Sequence, residues 1–159
     1  MIEIDLQDFL RSGALGPVQV GMTRDQVRHE LGEPDATGGA SRQYRTPSIW
    51  FYGSLELIFE RSGPELVSIH LDGFDVPSGG NRIVLDPWCI RGAMPLEEAE
   101  TALGLAGIGF SRHPWRATPN GTLVVTQSNV EMGFILEEEE FGSPAGLFFI
   151  MKSGIFTNQ

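Results

Sequence analysis

The chain has 159 residues, 41% of them hydrophobic, with a formal net charge of −10 and a single cysteine. That length suits one domain, able to bury a core without disulfide or metal, and the composition argues against disorder. The acidity disfavours nonspecific binding to nucleic acid or anionic membrane, which want clustered Lys and Arg, and admits a basic protein partner.

The N-terminus carries early acids and no long apolar run, so it reads as neither a signal peptide nor a lipoprotein leader. Nothing later approaches a membrane span, and the expected location is cytoplasmic. Ile2, Leu6, Phe9 and Leu10 fall at helical spacing and predict a helix over 2–11, closed by Ser12-Gly13. The strongest local signal runs from Gly21 to Pro34. Thr23 stands at an N-cap with Gln26 placed to complete a capping box, while Met22 and Val27 form a hydrophobic staple. Asp25 favours the positive end of the helix dipole, and Gly32 and Pro34 end the helix. A polar loop follows over 35–40.

The period then changes to two. Strands are expected at Gln43–Arg45, Ser48–Tyr52, Leu55–Glu60 and Glu65–Asp72, with Gly53-Ser54 as a two-residue hairpin turn. Leu55, Leu57, Phe59, Val67, Ile69 and Leu71 form the expected central core. Glu56, Ile58, His70 and Asp72 then point to the other face. On the preceding strand either Ile49 and Phe51 or Trp50 and Tyr52 share that face. Because Trp and Tyr dominate binding hot spots, the expected partner-binding set is Trp50, Tyr52, Glu56, Ile58, His70 and Asp72.

Residues 73–81 read as a linker, Ile83-Val84-Leu85 as a short strand, and Cys89, between Trp88 and Ile90, as a small buried apolar residue. A second helix is expected over 92–104, with Pro95 and three glutamates early in it. Further strands are expected near Trp115–Arg116, Leu123–Thr126, Asn129–Glu137 and Leu147–Lys152. The run Glu137–Glu140, followed by Phe141 to Pro144, is either a solvated hairpin tip or an acidic lure for a basic partner.

The halves resemble each other. Met22, Val27, Leu31 and Gly32 align with Met94, Ala99, Leu103 and Gly104. Leu55 to Phe59 align with Val130 to Phe134, and Leu66 and Ile69 with Leu147 and Ile150. This predicts a helix followed by an antiparallel meander, used twice. The histidines His29, His70 and His113 have no zinc-ligand spacing, and no nucleophile elbow, P-loop or dinucleotide fingerprint is present. No catalytic residue, metal site or cofactor is therefore expected.

The pattern Gly21-Met22-Thr23-x-x-Gln26-Val27-x-x-x-Leu31-Gly32-x-Pro34 resembles the signature of the SmpA/OmlA outer-membrane lipoprotein family. That resemblance implies the helix-plus-meander fold shared with the beta-lactamase-inhibitor-protein superfamily, in which tandem copies occur. Together with Tyr52-Gly53-x-Leu55-Glu56-Leu57-x-Phe59, the pattern is also similar to small cytoplasmic bacterial proteins, some of them like immunity proteins of polymorphic toxin systems.

The expected fold class is α+β. It has two tandem helix-plus-antiparallel-meander units, 1–80 and 81–159, in one compact domain with the helices packed on one sheet face. The expected function is a non-catalytic protein-binding module, an immunity-type inhibitor that occludes a toxin or enzyme through an open sheet face. A scaffold or assembly factor, and a small-ligand binder or enzyme, are the alternatives.

Overall fold

Capping chemistry divides the N-terminal segment where helical spacing does not. A computed structural model describes residues 1–138, 142 and 144–154. In it β1 (Ile2–Asp5) is extended, and only Leu6–Ser12 forms helix α1. Asp5 is the reason. Its carboxylate accepts the Gln7 N–H at 2.7 Å, so it caps the helix and leaves the residues before it free to extend. β1 pairs in parallel with β6 (Ile83–Asp86) as a small sheet of its own.

Helix α2 (Arg24–Leu31) has the predicted capping box. The Gln26 N–H donates to Thr23 Oγ1 at 3.2 Å, and the Thr23 N–H donates to Gln26 Oε1 at 2.9 Å. Thr23→Ala is expected to cost about 1 kcal/mol in a denaturant titration. A change near zero would mean that the reciprocal bonds add nothing. Helix α3 (Leu96–Leu105) begins later than the sequence suggests, behind Pro95 and with no side-chain cap; Glu97 and Glu98 lie in its first turn.

Among the described residues the remaining strands form one antiparallel sheet of eight. They are β2 (Ala36–Gly38), β3 (Ile49–Tyr52), β4 (Leu55–Phe59), β5 (Leu66–Asp72), β7 (Phe110–Pro114), β8 (Gly121–Thr126), β9 (Val130–Ile135) and β10 (Gly146–Ser153). Their order is β2-β3-β4-β5-β10-β9-β8-β7. The chain is thus α+β. One edge strand comes from the stretch expected as a loop, because Ala36–Gly38 pairs with β3 while Gln43–Arg45 forms no strand. At the other edge β7 precedes the predicted Trp115–Arg116.

The core holds Leu55, Leu57, Phe59, Ile69 and Leu71 as expected, but Leu66 takes the place of Val67. A β-bulge explains the exchange. Phe59 faces Leu66 and Ile58 faces Ser68, so Val67 is the extra residue and the alternation slips by one. The second meander repeats this register. Leu57 opposes Ile69 and Phe59 opposes Leu66; likewise Met132 opposes Ile150 and Phe134 opposes Leu147, with Phe148 extra.

Helices α2 and α3 are each reached through a matching backbone exchange. Gly21 N–H donates to Leu66 O and Leu66 N–H to Met22 O, both at 2.8 Å. Ala93 N–H donates to Leu147 O at 3.0 Å and Leu147 N–H to Met94 O at 2.8 Å. The meanders join where β5 pairs with β10. The buried residues of α1, α2 and α3 belong to one apolar cluster with alternate residues of the strands.

Candidate functional site: the outward sheet face

Strand register decides which side chains share the other face. A continuous row runs Phe51, Glu56, His70, Met151, Glu131, Val125, each directly opposite the next on the neighbouring strand. A second row runs Asp72, Phe149, Gly133, Leu123, His113. Ile49, Ile58, Ser68 and Ser153 make a third. Phe51, Ile58, Leu123, Val125, Phe149 and Met151 are all half-buried, so the face presents apolar area that the chain's own core does not absorb.

Two corrections follow for the expected site. Glu56, Ile58, His70 and Asp72 lie on this face, whereas Trp50 is 3% exposed and Tyr52 fully buried. Trp50 opposes Leu57 and Tyr52 opposes Leu55, which puts both on the core side. Each is held there by helix α2. The Tyr52 hydroxyl donates to Gly32 O at 2.8 Å, and the Arg28 guanidinium lies 4.9 Å from the centre of the Trp50 ring. Burial is the main cause that pushes the Tyr52 hydroxyl above its usual range. Ile49 and Phe51 take the outward positions instead.

Beyond Phe51, the aromatic surface of this face comes from the second meander. Phe149 stacks on His70 with ring centres 6.0 Å apart and meets Trp115 edge-on at 5.2 Å. Gly133 makes this seat, since a Cβ there would overlap the Phe149 ring. Neither Phe149 nor Trp115 was legible as a site residue. The bulge at Phe148 reverses the apparent alternation of β10, and Trp115 lies in a loop just past β7.

Glu56, His70 and Asp72 converge, each offering a ligand atom within 4.8 Å of the others. His70 Nδ1 is 3.8 Å from Asp72 Oδ2. Burial first, and then the Asp72 charge, raise the Glu56 carboxyl above its ordinary range, against the opposing pull of His70. No outward strand position among the described residues carries Lys or Arg. Among the described residues Ser68 Oγ, on the same face, is buried without a hydrogen-bond partner.

No protein family, curated protein or solved structure matches the chain. The face is therefore read from its own chemistry. A cleft of about 530 Å³ beside the small parallel sheet is lined by Glu3, Asp5, Asp8 and Asp86, carboxylates without an imidazole. Cys89 is half-buried rather than enclosed, and burial pushes its thiol up. Glu137 and Glu138 are exposed, while Glu139, Glu140, Phe141 and Ser143 of the predicted acidic tip lie outside the described residues. No helix among the described residues is long and apolar enough to cross a membrane.

Proposed function

We propose that the chain is a non-catalytic protein-binding module that docks a basic partner, a toxin or enzyme, against the outward sheet face as an immunity-type inhibitor. One observation carries the reading: half-buried apolar side chains in continuous register surround Glu56, Asp72 and Glu131. Such a face combines a desolvated anchor with electrostatic choice of partner. The net charge of −10 acts in the same direction. The reading includes two tandem units with their helices on one sheet face, as in the superfamily that the Gly-Met-Thr signature resembles. The repeated bulge and the matched backbone exchanges at Leu66 and Leu147 support it.

The test is co-expression with the product of the adjacent open reading frame, followed by binding of the purified pair. Growth rescue by the parent chain and its loss in Phe149→Ala are expected. The hot-spot cost is about 2 kcal/mol or more, roughly thirtyfold in Kd, with the melting temperature nearly unchanged. Glu56→Lys should chiefly slow association, by a factor that shrinks as salt rises. A folded Phe149→Ala chain that binds as well as the parent overturns the reading, and a partner still active in the complex makes the chain a scaffold.

A further inference from the structure

We infer that Glu56, His70 and Asp72 form a binding site for a divalent transition-metal ion of the zinc type, with at least one coordination position open on the outward face. The site shares Glu56 and Asp72 with the proposed docking face but does not rest on docking, because an ion can bind whether or not a partner does.

The donors are mixed and are fixed by the sheet. Glu56 and His70 are direct cross-strand neighbours, and Asp72 follows His70 by one outward position on β5. Three side chains from two hydrogen-bonded strands thus converge without any loop to order. Their ligand atoms lie within 4.8 Å of one another. A tetrahedral ion with bonds of about 2.0–2.2 Å needs its ligands only about 3.4 Å apart, a gap that small side-chain rotations close. Two carboxylate oxygens and one imidazole nitrogen suit Zn²⁺; the nitrogen disfavours Mg²⁺ and Ca²⁺, which take oxygen. Three protein ligands leave room for a water or an incoming group.

The charge balance asks for a cation. Among the described residues no hydrogen-bond donor reaches the Glu56 carboxylate, and the titratable side chains beside it are His70 and Asp72. Asp72 pairs only loosely with His70, at 3.8 Å. No Lys or Arg occupies an outward strand position beside them. A dication removes the repulsion between the two carboxylates. The Phe149 ring stacked on His70 restricts the imidazole plane.

The probe is the metal alone. Chain stripped with chelator and dialysed is titrated with ZnCl₂ by calorimetry and with CoCl₂ by visible absorption, and its melting temperature is followed with and without metal. Saturable binding of one ion per chain, a raised melting temperature and a cobalt spectrum of low coordination number are expected. His70→Gln and Asp72→Asn should each weaken binding by roughly tenfold or more, the scale on which even outer groups of metal sites act. Glu56→Gln supplies a third removal should either variant fail to fold. His29→Gln and His113→Gln, which change imidazoles elsewhere, should leave binding as it was. Absence of heat and of thermal shift at millimolar zinc overturns the site. So does binding that survives in folded His70→Gln, which would place the ion elsewhere, as does equal affinity for Mg²⁺.

Discussion

Trp50→Ala is expected to lower the melting temperature by roughly 10 °C, the equivalent of about 3–5 kcal/mol for an emptied aromatic site in a domain of this size. The loss has several parts. Trp50 is 3% exposed, its ring sits 4.7 Å from that of Phe59, and the Arg28 guanidinium covers it from helix α2. Truncation opens a cavity between helix and sheet and also removes the surface on which a cation was resting. Thermal unfolding needs no partner. A shift of only a degree or two would mean that Trp50 is not the core residue described. Phe149→Ala is the matched control, because it removes an aromatic ring from the outward face.

Gly146→Ala is expected to cost about 2–4 kcal/mol, read as a lower denaturant midpoint at unchanged slope. Gly146 opens β10 with φ of +111°, and a Cβ there would overlap the backbone of Ala93. The next residue, Leu147, exchanges both of its backbone hydrogen bonds with Ala93 and Met94. Backbone cannot rotate aside as a side chain does, so a methyl group must part the strand from the segment that leads into α3. A change below about 0.5 kcal/mol would show that the junction yields freely.

Much of the fold was legible because local chemistry and long-range pairing agree. The cap at Thr23, the period-two runs of β4 and β5 and the punctuation at Gly32 and Pro34 all have local causes. The site was half legible. Ile49-Trp50-Phe51-Tyr52 is apolar throughout, so alternation alone cannot say which pair faces the core. The signal that decides it was present nonetheless. A two-residue turn at Gly53-Ser54 places Tyr52 opposite Leu55 and Trp50 opposite Leu57, and cross-strand partners share a face. Hot-spot statistics pointed to the wrong pair because they describe residue types, not register. Other features needed distant pairing. Nothing local to Val67 announces a bulge, and no spacing rule joins Glu56 to His70 across a hairpin. The stack of Phe149 on His70 exists only because β10 returns to β5.

That return has a consequence for assembly. His70 meets Met151, and Asp72 meets Phe149, only across the β5–β10 seam, whose strands stand far apart in the chain. Each meander can close on near neighbours; the seam joins strands separated by β6, α3 and β7–β9 and must close over that whole stretch of chain. Until it closes, β5 and β10 are open edges, and the same strands of a second molecule fit them equally well. Exchange of β5 or β10 between molecules is therefore a misassembly that this strand order permits. The outward face spans the same seam, so a binder that needs both the His70 side and the Phe149 side recognises only molecules in which a β5–β10 seam has formed.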